Sequence, residues 1–126
     1  MTIITVCTLP EAYDVLAPDG SEVRILATSE RGSMAHFKLQ PGQVSLAIAH
    51  RSVEEIWYIT AGKGEMWCGW NHVDELTPLH PGVSIAIPVG VKFQFRCEGE
   101  TALEAVGVTM PPWPGEDEAM FVTGKW

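Results

Sequence analysis

Strict alternation of apolar and polar side chains, in short runs separated by glycine or proline, is the feature that most restricts what this chain can fold into. Val91, Phe93, Phe95 and Cys97 alternate with Lys92, Gln94 and Arg96. Successive side chains of an extended strand point to opposite faces, so this run has one apolar face and one polar face. Ala35, Phe37 and Leu39 alternate in the same way with His36, Lys38 and Gln40, and Val44, Leu46, Ile48 and His50 share a face by the same period. Val23-Arg24-Ile25-Leu26 follows the turn Pro18-Asp19-Gly20-Ser21. Ile56-Trp57-Tyr58-Ile59 stops at Gly62-Lys63-Gly64, and Val83, Ile85 and Ile87 follow Pro81-Gly82. Leu103 to Met110 is a last apolar run. Runs at a spacing of about 8–12 residues with turn residues between them predict an all-β barrel or sandwich.

Helical periodicity is absent over any long stretch. Short helical turns are expected only at Pro10, since proline suits the first helical position, and over Gly115–Ala119, where carboxylates sit near the start. Pro111-Pro112-Trp113-Pro114-Gly115 cannot donate a full ladder of hydrogen bonds, so the tail from residue 110 to residue 126 is expected to leave the barrel and lie over a surface. Pro41-Gly42 and Pro81-Gly82 each open an apolar strand, a faint echo between two hairpin halves.

The length of 126 residues fits a single domain over 1–126, and 46% apolar content is enough to fill its core. Sixteen acidic residues against eight basic ones leave a formal charge of -8. Such a surface repels phosphate backbones and anionic lipid, so neither nucleic acid nor a membrane is an expected partner. The N-terminal stretch has no basic region before its apolar residues, and no apolar run approaches the roughly 20 residues that span a bilayer. Cys7, Cys68 and Cys97 are odd in number and lack metal-type spacing. They read as free thiols, packed as small buried hydrophobes, in a reducing cytoplasm.

Two segments, residues 42–62 and 82–97, carry a set of fixed spacings. In the first, five residues separate Gly42 from Ile48-Ala49-His50, four more precede Glu55, and six lead to Gly62. In the second, Gly82 is followed after five residues by Pro88-Val89-Gly90, then by Phe93 and Cys97. Nineteen residues lie between the two segments. These spacings resemble the two motifs of the cupin family, and the chain is identified by them as a small single-domain bacterial cupin. The resemblance implies a double-stranded β-helix, or jelly-roll, barrel of short antiparallel strands. It also implies a metal site of three histidines and one glutamate. Only His50 and Glu55 match that ligand set. Ile48 and Phe93 stand at two histidine positions, and Cys97 stands where the pattern has asparagine. Two protein ligands are few, since catalytic zinc sites typically use three. No cofactor is therefore expected. If a divalent metal is bound, His50 and Glu55 are its ligands.

His50 and Glu55 are the candidate catalytic residues. Histidine titrates near neutrality, and an apolar wall raises a carboxylate pKa, so together they can act as a proton-transfer pair. The competing reading is a structural pair, in which imidazole and carboxylate satisfy each other. Strand parity sends Glu55 inward and Glu54 into solvent. Ile48, Trp57, Phe93 and Phe95 are expected to line a ligand pocket, and Trp113 to cap its mouth, seal a dimer interface or pack outside. His36 is read as a surface histidine on the polar face of its strand. His72 and His80 fall in the turn-rich segment Gly69–Pro81 and are read as exposed, within reach of the site if that loop folds inward.

Three functions remain open at this point. One is a small-molecule-binding cupin acting as a metal-independent isomerase, epimerase or cyclase. A second is a metal-dependent enzyme of sugar isomerase or dioxygenase type, completing its ligands from water, substrate or a loop histidine. The third is a non-catalytic binding or sensory barrel. Edge strands left unpaired invite association, so a homodimer is expected.

Overall fold

The computed structural model describes residues 3–126; Met1 and Thr2, which begin the N-terminal stretch weighed above as a leader, lie outside them. Eleven strands and one 3₁₀ turn make up the regular structure of the described residues. They are β1 (Val15–Leu16), β2 (Glu22–Thr28), β3 (Ser33–Leu39), β4 (Ile48–His50), β5 (Glu54–Ala61), β6 (Gly64–Trp70), β7 (Val73–Leu79), β8 (Ser84–Ile87), β9 (Lys92–Cys97), β10 (Leu103–Met110) and β11 (Ala119–Phe121). The 3₁₀ turn spans Glu116–Glu118, within the segment expected to be helical. One sheet has the order β1-β2-β3-β10-β5-β8 and the other β11-β4-β9-β6-β7, with antiparallel pairing throughout. No helix among the described residues is long and apolar enough to cross a membrane.

The motif glycines set the corners. Gly42, Gly62, Gly82 and Gly90 all have φ between 80° and 97°, a region that side chains with a Cβ rarely enter. In Gln40-Pro41-Gly42-Gln43 and His80-Pro81-Gly82-Val83 the fourth amide donates to the first carbonyl at 3.0 and 3.1 Å. Proline second and a positive-φ glycine third is the type II turn, so the echo between the two halves is a repeated turn with a steric cause.

The inner faces of the two sheets meet in a core that includes Leu39, Ile59, Met66, Leu79, Phe95 and Leu103, packed at one end of the barrel. Trp57 stands at its centre, edge-on to Phe95 at 5.0 Å and to Phe93 at 6.2 Å, and stacked on Phe37 at 5.1 Å. Aromatic pairs of this kind contribute about 0.5–1.5 kcal/mol each beyond their buried area. The stack depends on Gly107 in β10, where a Cβ would come within 2.9 Å of both rings.

Outer faces depart from the simple alternation, because the terminal segments cover them. Gln94 points away from the core as parity requires, yet it is buried beneath the C-terminal residues. Its Nε2 donates to Ser45 O and Trp126 O, and its Oε1 accepts the amides of Lys125 and Trp126. Arg96 lies 4.2 Å from the Trp126 ring. The tail also rejoins the barrel, since β11 pairs with β4. On the other sheet Arg24 is buried, with Nε and Nη2 donating to the carbonyls of Pro10 and Glu11. This clasp ties the N-terminal segment to the sheet, and the helical turn expected at Pro10 does not form. His36 is not a surface histidine: it is buried beside the clasp, with Nε2 3.0 Å from Glu104.

Three further expectations are corrected. Val44 and Leu46 are exposed rather than inward, because regular pairing of β4 begins only at Ile48 and the segment before it is held through Ser45, whose amide donates to Phe95 O. Cys7 is exposed, so only Cys97 is a fully buried thiol. The segment read as turns, Gly69–Pro81, contains β7, an edge strand exposed along most of its length.

Candidate functional site

At the end of the barrel opposite the packed core, the sheets leave a cavity of about 270 Å³. Its walls include Ile48, His50, Glu55, Trp57, Phe93 and Trp113, and also Asp19, Ser33, Phe37 and Thr109. Phe95 does not reach it and packs behind Trp57. His72 and His80 are exposed and line no part of it.

Ile48 and Phe93 are direct partners across the β4–β9 pairing. The two hydrocarbon side chains that replace expected ligands therefore face each other as one apolar wall. Glu55 stands between Ile87 of β8 and Thr109 of β10 and is 4% exposed, while Glu54 is in solvent. Burial pushes the Glu55 carboxyl upward, to about 7; the nearby Trp57 indole draws it back somewhat and the Asp19 carboxyl adds to the rise. The Trp57 N–H lies near Glu55 without the alignment of a full hydrogen bond, and its Nε1 has no partner among the described residues.

His50 is 3% exposed and lies edge-on to Phe93 and to Trp113, each at 5.3 Å. Burial lowers its pKa below the usual histidine value, opposed in part by Glu118, so it is neutral at pH 7. Its Nδ1 is sealed from solvent with no partner among the described residues. A buried polar atom left unpaired costs roughly 1–3 kcal/mol, and such atoms concentrate where a ligand or a reaction needs them. His50 and Glu55 do not satisfy each other, so the structural-pair reading loses its basis.

Three supports of this site were not singled out from the sequence. Asp19 follows Pro18 in the turn Ala17-Pro18-Asp19-Gly20, closed by Gly20 N–H to Ala17 O at 2.9 Å. The turn docks through Leu46 N–H to Asp19 O, which turns the Asp19 side chain into the cavity wall. Burial raises the Asp19 pKa, countered by the hydrogen bonds from Ser21. Glu118 accepts the amides of Ser52 and Val53 and the Ser52 hydroxyl, fastening the tail to the loop just after His50. Burial acts upward on Glu118, but those hydrogen bonds and the charge of His50 outweigh it and hold its pKa low. Ser33 joins Thr109 at 2.6 Å and accepts the Trp113 amide at 2.9 Å, which seats Trp113 at the cavity. A Pro-Asp-Gly turn is legible in sequence; the direction of its carboxylate is not.

The metal that such a barrel implies does not fit these donors. Among the described residues no three His, Cys, Asp or Glu side chains converge as a ligand set. The wall at two expected ligand positions is hydrocarbon, which offers a divalent ion nothing to bind.

A barrel of two antiparallel sheets, cornered by motif glycines and open at one end onto His50 and Glu55, defines the class. The cupin domain family matches residues 35–109, more than half of the chain, and the protein belongs to that family. No curated protein matches it. Among solved structures it is similar to an uncharacterised conserved protein with a double-stranded beta-helix domain from Klebsiella pneumoniae, at 17% identity over 82% of this chain and 85% of that one, with a TM-score of 0.69. KdgF from Halomonas sp. is similar at 17% identity over 87% and 97% of the two chains, with a TM-score of 0.71. Streptomyces PAC13, solved with uridine, is similar at 15% identity over 97% and 92%, with a TM-score of 0.75. At these identities the likeness is one of fold.

Proposed function

We propose that this cupin binds a small organic molecule in the cavity and moves a proton on it without a metal, as an isomerase, epimerase or cyclase does. The observation that carries this reading is Glu55: a carboxyl buried in an aromatic-walled cavity, with no well-aligned hydrogen-bond donor and a pKa raised to about 7. A general acid–base works best when its pKa lies near the working pH. His50 is a second group on the same cavity, held neutral by burial and therefore able both to donate and to accept. An apolar cavity with a few convergent polar groups is the usual form of a small-molecule site. That a barrel of this form holds uridine in the Streptomyces protein supports a ring-sized ligand.

Deuterium uptake from D2O into a library of carbonyl compounds and sugars, read by mass spectrometry, tests the reading. Uptake into at least one member, unaffected by chelators and abolished in Glu55→Gln, is the expected result. Uptake that persists in Glu55→Gln, or that needs added metal, would reject it.

A further inference from the structure

We propose that the cavity takes a small uncharged ring-bearing molecule with carbonyl or hydroxyl groups and rejects carboxylates and phosphates, because its lining contains Asp19, Glu55 and Glu116 and no lysine or arginine. The inference rests on the reading of this cavity as a ligand site and specifies what the site accepts.

Size comes first. A volume of about 270 Å³ equals that of about nine water molecules at roughly 30 Å³ each. One ring with its substituents fits within it.

Charge selects further. Sites for carboxylates and phosphates are built around arginine, lysine or clustered backbone N–H groups. Here Arg24 and Arg51 lie outside the lining. Arg24 is turned to the outer face and held by the carbonyls of Pro10 and Glu11. Arg51 lines a neighbouring shallow groove with Glu116 and Asp117, and its Nε donates to Asp117 O. Asp19 and Glu55 sit inside and Glu116 is exposed at the mouth, so an anion meets like charge on entry and finds no counter-charge once bound. Buried without a counter-charge, it would also lose its hydration.

The groups that remain suit neutral partners. While protonated, Glu55 donates to a carbonyl or hydroxyl oxygen, and neutral His50 gives one donor and one acceptor. Ser33 and Thr109 add hydroxyls on the β3–β10 wall, directly beside Glu55. Ile48, Trp57 and Phe93 supply flat apolar contact for the ring.

Benzamide, benzoate and benzamidine share one shape and differ in charge. Each is titrated into ¹⁵N-labelled protein at about pH 6, where benzoate is ionised and Glu55 is largely protonated, with the Trp57 and Trp113 indole N–H signals as the readout. Benzamide is expected to shift both signals, benzamidine to bind no more tightly, and benzoate to bind at least about a hundredfold more weakly, as an unpaired buried charge requires. Benzoate binding as tightly as benzamide overturns the proposal. Tighter benzamidine also overturns it, in favour of an organic cation, while the cavity stands as a ligand site. If none of the three moves either indole, the cavity is not a ligand site, and both this proposal and the proposed function fall. In the double variant Asp19→Asn with Glu55→Gln, checked for folding by near-UV circular dichroism, benzoate affinity at about pH 8, where wild-type Glu55 is ionised, is expected to rise at least about tenfold. An unchanged benzoate affinity there would show that the carboxyls are not what excludes it.

Discussion

Replacing Glu55 by Gln should make the folded protein more stable at alkaline pH, and the size of the gain follows from burial. The carboxyl titrates at 4.5 when unperturbed and at about 7 in the fold, a rise of about 2.5 units, and each unit corresponds to about 1.36 kcal/mol. Between these two values the folded protein holds a proton that the unfolded chain releases, so wild-type stability falls as pH rises through that window and levels off above it. At about pH 8 the fold carries an ionised carboxylate at a total disadvantage of about 3 kcal/mol. The glutamine side chain keeps the shape and polarity of the protonated acid and cannot ionise. The variant should therefore match wild type near pH 4 and exceed it by about 3 kcal/mol at pH 8, or roughly 10 °C in Tm for a domain of this size. Urea unfolding of both proteins at several pH values isolates the effect, because the other titrating groups cancel in the difference. A variant less stable than wild type at pH 8, or a difference that does not change with pH, would show that Glu55 has a stabilising partner and would refute the reasoning.

His50 should show the opposite pH dependence. Its folded pKa is lowered, so the stability it confers is complete above about pH 6.5 and is lost as pH falls through the folded value; a His50→Gln variant should lose less stability on acidification, and equal acid loss in both proteins would contradict this. Protein purified without added metal should contain well under one equivalent of Mn, Fe, Co, Ni, Cu or Zn by elemental analysis, because Ile48 and Phe93 wall off two ligand positions; a stoichiometric metal that disappears in His50→Ala would overturn this. Ile56 and Tyr58 lie half-exposed on the outer face of the six-stranded sheet, and the protein is expected to sediment as a homodimer at micromolar concentration that dissociates in the Ile56→Lys, Tyr58→Lys double variant; a monomeric wild type would sink that expectation.

What the sequence determined by itself is local and periodic. A period of two decides which side chains share a face, so alternation alone separates Glu55, Trp57 and Phe93 inside from Glu54 and Lys92 outside. Turn chemistry is legible as well, because only glycine suits the positive φ at residues 42, 62, 82 and 90. The replacement of two ligand histidines by Ile48 and Phe93 is visible as spacing. That these two residues touch across β4 and β9, and so form one apolar wall, is not.

Only the tertiary structure decided what covers each face and which polar groups stay unpaired. Parity gives Gln94 and His36 an outward direction, yet both are buried, Gln94 by C-terminal residues distant in sequence. Asp19 lies on a turn whose residues look solvent-bound, yet the docking of that turn against Leu46 buries it in the wall of the cavity that holds Glu55. Alternation follows from backbone geometry within a few residues. Burial and pKa depend on long-range packing, which no local pattern encodes.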